Sequence, residues 1–139
     1  MGLIEEKVTK LIKKHGTNNP FEIANQKGVI VRYVPLGNVL GFHARYFRTS
    51  IIHINEALSE QQQLFTCAHE LGHAIFHPDA NTPFLKKNTY YSTDKIEVEA
   101  NEFAVELLFS QDTNNSITIK EATQDYGIPE QLLYKKFYT

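Results

Sequence analysis

The sequence predicts an α+β fold, a small and mostly antiparallel three-stranded sheet packed against one long helix and several further helices. Three observations predict it. Apolar residues recur at helical spacing over 3–15 and again from Ser59 to Phe76; the stretch between them is rich in β-branched and aromatic residues set off by turn signals; the remainder returns to a helical period. With 139 residues, 42% of them hydrophobic, residues 1–139 have the size and apolar fraction of one domain with a single core.

The opening helix over 3–15 sets Leu3, Ile4, Val8, Leu11 and Ile12 on one face, with lysines and glutamates on the other. The basic run Lys7, Lys10, Lys13 and Lys14 is then a solvated face. After the Gly16-Thr17-Asn18-Asn19 break, Asn19 caps a short helix that begins with Pro20 and runs to about Gln26. Strands are expected over Val29 to Val34, Val39 to Phe47 and Ile51 to Ile54, separated by Pro35-Leu36-Gly37 and Arg48-Thr49-Ser50. The Val39 to Phe47 strand is expected at an exposed edge. From Ser59 the apolar stripe Leu64, Ala68, Leu71, Ile75 marks a helix to Phe76, opened by a Ser59/Gln62 capping box behind Leu58 and stopped near Pro78. Residues 77–93 read as a long loop. Thr93 or Asp94 caps the next helix, to about Phe109, and two short helices follow over Ile119 to Tyr126 and Pro129 to Phe137, split by Gly127.

Charge and composition exclude several classes of partner. Fourteen basic against 16 acidic residues give a net charge of -2, which offers no general attraction to phosphate backbones or anionic membranes. Neither a leader pattern nor an apolar run near the roughly 18 residues of a membrane span is present, so a cytoplasmic protein is expected. A single cysteine, Cys67, excludes an intrachain disulfide.

The chemistry lies in His69-Glu70-Leu71-Gly72-His73. Residues four apart on a helix are offset by about 40°, so His69 and His73 project from one face and can share an ion. Glu70, offset by about 100° from His69, can reach a water at an open coordination position and act as general base. Gly72 costs about 1 kcal/mol relative to alanine, a poor choice unless something must approach closely there. A catalytic zinc commonly takes three protein ligands, and the acidic segment Glu97-Val98-Glu99-Ala100-Asn101-Glu102 on the next helix can supply a carboxylate. Such a site would polarise a peptide carbonyl and hydrolyse it, one zinc ion per chain.

Through His69-Glu70-Leu71-Gly72-His73 and Glu97 to Leu108, and through the layout of nearly the whole chain, the sequence resembles the ImmA/IrrE family of metallopeptidases. The resemblance implies a minimal zincin-like fold, Glu97 as third ligand beside His69 and His73, and Asn101 as the residue that orients a ligating histidine. Glu97 and Asn101 share a helix face, whereas Glu99 is rotated by about 200° and is the weaker ligand candidate. Phe109-Ser110 departs from the Met-Pro ending frequent in the family. By the same resemblance the substrate is a helix-turn-helix repressor encoded beside the peptidase, on a phage or mobile element, whose cleavage relieves repression.

Other readings compete. Asp79, ten residues after His69, could be a third ligand, but Phe76 stands where that pattern needs glycine. His77 reads as a helix-end histidine near terminal carbonyls. Tyr90, Tyr91 or His43 could donate to an oxyanion. His15 and His53 read as surface residues, and Cys67, about 200° from His69, as buried and inert. The tail from Ile119 through Gly127 to Leu132 and Leu133 imitates a DNA-binding helix pair, yet it offers only Lys135 and Lys136 against apolar Tyr134 and Phe137, so no direct nucleic-acid contact is expected. A zinc-stabilised binding module without catalysis would not need Glu70.

Overall fold

The computed structural model describes residues 2–81, 83–85, 92, 94–110 and 119–133. Helix α1 (Leu3–His15) buries Val8 and Leu11 and ends at Gly16, whose φ of 72° lets its N–H reach back to the Ile12 carbonyl. Helix α2 (Pro20–Gln26) starts at Asn19, whose side chain accepts from the N–H groups of Phe21 and Glu22. Strands β1 (Ile30–Val34), β2 (Val39–Tyr46) and β3 (Thr49–Asn55) follow, then helix α3 (Glu60–Phe76) with its Ser59/Gln62 capping box. A two-residue strand β4 (Phe84–Leu85), helix α4 (Lys95–Phe109) capped by Asp94, helix α5 (Ile119–Tyr126) and a helical stretch over 130–133 complete the described chain. Thr93, the alternative cap, lies outside the described residues. No described helix is long and apolar enough to cross a membrane.

The sheet differs from the expected one. It has four strands in the order β1-β3-β2-β4, and it is mixed, because β1 runs parallel to β3. Strands β1 and β2 are antiparallel but leave a strand-wide gap, and β3 folds back from β2 to fill it. Asn55, at the end of β3, clamps the β1–β2 crossover by donating to the carbonyls of Gly37 and Val39 at 3.0 Å. Periodicity reveals strands and faces, not which neighbour each strand takes, so the parallel pairing left no signal. Nor is β2 a free edge along its length, since β4 pairs with it at Val39 and Gly41. The hairpin turn sits at Phe47-Arg48 rather than at the predicted Arg48-Thr49-Ser50. Both residues have positive φ, 48° and 72°, as a two-residue hairpin requires and as glycine or asparagine would more easily supply.

Helix α3 runs through the middle of the molecule, with β2 and β3 on one side and α4 on the other, and with α2 and α5 also against it. All nine residues from Phe65 to His73 are consequently buried, including the whole histidine motif, where the sequence reading placed the apolar stripe and Cys67 in the interior. Two glycines set the spacing of these layers. A Cβ at Gly72 would lie 3.1 Å from the Phe103 ring and 3.4 Å from the Ala100 backbone, so its absence brings α4 close to the two histidines. At Gly41 a Cβ would stand 2.7 Å from the His53 carbonyl oxygen and 2.7 Å from Thr66 Cγ2, just above Glu70. The carbonyl belongs to a paired strand and cannot swing aside. Gly41→Ala is therefore expected to destabilise the protein by roughly 1–3 kcal/mol, seen as a lower melting temperature; unchanged melting would mean that β2 can lift off α3 freely.

The described part of the tail, residues 119–133, packs against the core. Ala122, Ile128 and Leu133 are fully buried in the main core and Leu132 lies against it. Tyr134, Lys135, Lys136 and Phe137 of the imitated DNA-binding pair lie outside the described residues.

Candidate metal centre

Helix α3 supplies His69, Glu70 and His73; helix α4, held at close range by Gly72, supplies Glu97 and Asn101. The imidazole rings of His69 and His73 stand 4.8 Å apart at 85°, and Phe84 of β4 stacks on His69 at 4.0 Å, covering it. His69 Nε2 and His73 Nε2 lie 3.2 and 2.8 Å from the same Glu97 oxygen, Oε1. Ligand atoms of His69, His73 and Glu97 all fall within 4.8 Å of one another. Among the described residues this is the only such group of metal-ligating side chains.

The proton inventory of these rings decides what belongs between them. On its far side, His69 Nδ1 is 2.9 Å from Asn101 Oδ1, and an amide oxygen only accepts, so Nδ1 carries the hydrogen. A ring with one proton then presents a lone pair at Nε2 to a carboxylate oxygen. Two acceptors at that distance repel unless a proton or a cation lies between them. A second proton would make His69 a cation, and burial opposes that, lowering its pKa against the partial support of Glu97. A metal ion satisfies the geometry instead: ligands about 2.0–2.1 Å from zinc in a tetrahedron are roughly 3.3 Å apart. Two further signs agree, because Glu97 Oε2 and both oxygens of Glu70 are buried and have no hydrogen-bond partner among the described residues. Buried carboxylate oxygens without partners are costly and normally filled. The donor set of two imidazoles and a carboxylate fits a divalent cation of the zinc type.

The electrostatics follow from burial and proximity. Burial, and then the charge of Glu97, pushes the Glu70 carboxyl well above the ordinary carboxylate range. Burial raises Glu97 too, but with no ion between them the His69 and His73 rings, 3.2 and 2.8 Å away, act as hydrogen-bond donors and positive charges toward it, outweigh burial and bring it down to about 2. Two carboxylates on one site are thus driven in opposite directions.

The remaining candidates separate clearly. Asp79 is solvent-exposed and ion-paired to Arg45 at 3.7 Å, apart from the histidine pair. His77 does not turn to the helix carbonyls as read from the sequence. Its Nδ1 lies 3.0 Å from His73 Nδ1 and its Nε2 3.0 Å from Glu99 Oε1, a bridge that sequence reasoning missed although His77 continues the four-residue spacing. His15 is near Gln26 and His53 stacks on Phe42 at 4.2 Å on the sheet's outer face. Cys67 is fully buried and burial pushes its thiol up, which makes it unreactive. Tyr90 and Tyr91 lie outside the described residues.

His43 is no free donor. Its Nδ1 is 2.9 Å from the Ala80 carbonyl, so Nδ1 donates there, and Nε2 accepts from the Ser50 hydroxyl at 2.9 Å. This neutral ring straps the segment after α3 onto the sheet. Burial holds its pKa below the ordinary 6.5, with His73 and Arg45 adding to the effect and the Ala80 bond opposing it. The unfolded chain therefore binds the proton first: the contribution of His43 to stability is complete above about pH 6.5 and is lost as pH falls toward the folded value. Denaturant unfolding of metal-free protein between about pH 7 and pH 5 should show stability falling with acid, with a shallower slope in His43→Gln. An identical slope would remove His43 from the acid response.

Comparison with known proteins agrees with this arrangement. The Peptidase_M78 family model, described as the IrrE N-terminal-like domain, matches residues 24–138, which include every residue of the centre. The chain is 42% identical over 142 aligned positions to "Uncharacterized immunity region protein 2" of Bacillus phage phi105, covering 96% of this chain and 89% of that protein. It is 38% identical over 109 positions to "Metallopeptidase ImmA" of Bacillus subtilis (strain 168), covering 77% of this chain and 63% of that protein. A match of this extent, running through both helices that carry the histidines and Glu97, shows that the chain belongs to the ImmA/IrrE family of metallopeptidases, as an IrrE N-terminal-like domain.

Proposed function

We propose that this chain is a zinc-dependent endopeptidase that acts in the cytoplasm on a helix-turn-helix repressor protein and so relieves repression. The observation that carries the catalytic reading is the convergence of three ligand atoms beside a buried carboxylate, Glu70, that has no hydrogen-bond partner among the described residues. His69, His73 and Glu97 would hold the ion, and Asn101 would fix the His69 ring with its lone pair turned inward. Zinc, when bound, supplies Lewis acidity toward the scissile carbonyl and makes water nucleophilic near neutral pH. Glu70 takes a proton from the attacking water at a carboxylate oxygen and passes it to the leaving amine. Burial and Glu97 raise the proton affinity of Glu70, and the positive charge of a bound cation would bring it back toward the range in which a base works.

The choice of substrate rests on relatedness. One relative is named for a phage immunity region and another as a metallopeptidase, which agrees with the substrate that the family resemblance implies. The purified protein, loaded with zinc and incubated with the helix-turn-helix repressor encoded next to it, is expected to yield defined fragments that a chelator suppresses. Intact repressor under those conditions, with zinc bound to the protein, would rule out this substrate.

A further inference from the structure

Asn101 accounts for the orientation of one histidine only. The other, His73, turns its Nδ1 toward His77 Nδ1 at 3.0 Å, and His77 in turn places Nε2 3.0 Å from Glu99 Oε1. Two ring nitrogens at that separation need one hydrogen between them, and the rest of the chain decides which ring owns it. Glu99 is a carboxylate and accepts only, so His77 Nε2 carries the hydrogen on that side. A neutral His77 then has a lone pair at Nδ1. His73 must donate from Nδ1, and its own lone pair is left at Nε2, the atom that faces Glu97 beside His69. The three groups admit one consistent proton arrangement among neutral rings, and it is the arrangement that metal ligation through His73 Nε2 demands.

We propose that His77 and Glu99 are a positioning pair for His73, fixing its tautomer and ring angle as Asn101 does for His69. This rests on the metal-centre reading given above. His77 is the C-cap of α3, where the helix has ended with φ -136° and ψ 59°, so its ring is free to bend back over the last turn, which a helical residue could not do as readily. Its side chain is 11% exposed and that of Glu99 33%, which keeps water from replacing the inner bond while leaving the outer carboxylate tolerant of substitution. The carboxylate two residues from Glu97, the poorer ligand by helical angle, acts here one ring removed from the ion. Partners of this kind commonly change metal affinity by about 10–100-fold when removed.

The test is zinc affinity, measured by competition with a chromophoric chelator on the full chain. His77→Leu and Glu99→Ala are each expected to weaken zinc binding by about 10–100-fold. Because they act in series through one ring, the double variant should be no weaker than His77→Leu alone. The imidazole proton–nitrogen correlation spectrum of the zinc-loaded wild type should show a protected Nδ1–H on His73 and an Nε2–H on His77. In His77→Leu the His73 signal should lose its protection. Wild-type affinity in both single variants, fully additive losses, or a His77 ring protonated at Nδ1 would overturn the relay while leaving the metal centre intact. Zinc binding by neither the wild type nor any variant would instead overturn the metal-centre reading. Should His77→Leu fail to fold, Glu99→Ala on a partly exposed helix face still carries the affinity test.

Discussion

Replacing Glu70 by glutamine is expected to reduce peptide cleavage by about 10²–10⁴-fold while zinc content stays at one ion per chain. The side chain keeps its size and its place on α3, so nothing in the packing around it changes. What is lost is the ability to accept a proton at an oxygen that no group among the described residues already occupies. Neither Glu70 oxygen bonds a helix or strand among the described residues, so no such structural bond goes with it. The fold should lose no stability either. A buried carboxyl whose pKa is pushed well up by burial and by Glu97 destabilises the folded state when ionised, and a neutral isostere removes that penalty. In the chelated protein, Glu70→Gln should therefore melt no lower than wild type, the pattern of a residue retained for chemistry at the expense of stability. Cleavage at the wild-type rate with full zinc content would exclude Glu70 as the base. Absence of cleavage in both proteins, with zinc bound in both, would favour a metal-stabilised binding module.

Much of this centre was legible because it depends on local repetition. A four-residue spacing fixes His69 and His73 on one face and a capping box fixes where α3 begins, while Glu97 and Asn101 were singled out by the family resemblance, with which their shared helix face agrees. Each of these is a property of one helix. Features that depend on how elements meet were not legible in the same way. The insertion of β3 between β1 and β2, the Phe84 ring laid on His69 and the bending of His77 back to His73 all require the tertiary arrangement. Gly72 lies between the two. Its cost to the helix was visible in the sequence and pointed to a close approach, but that the approach is by Phe103 and Ala100 of α4 comes only from the packing. Complete burial of the motif has the same origin, since α3 looks amphipathic alone and becomes central only with the sheet and α4 against opposite sides.

Removal of Glu97 should have the second large effect, and it separates ligation from packing. Glu97→Ala is expected to weaken zinc binding by more than about 100-fold, beyond what loss of an orienting partner brings. In wild-type protein without metal, a proton takes the place of the ion between Glu97 and the Nε2 atoms, and removal of Glu97 leaves buried ring nitrogens unpaired at a cost of about 1–3 kcal/mol. The sign of its pH dependence is opposite in origin to that of a raised acid. Its folded pKa is depressed to about 2 from the ordinary 4.5, so its contribution is complete above about pH 4.5 and is lost as pH falls toward the folded value. Chelated wild type should lose stability across that interval, and chelated Glu97→Ala should lack that component of the slope. Glu97→Gln divides the two roles further: an amide preserves shape and one acceptor oxygen but carries no charge, so it should restore part of the lost stability and little of the lost affinity. If Glu97→Ala bound zinc as tightly as wild type, the third ligand would have to come from elsewhere, and the convergence of His69, His73 and Glu97 on one point would be a packing arrangement rather than a metal site.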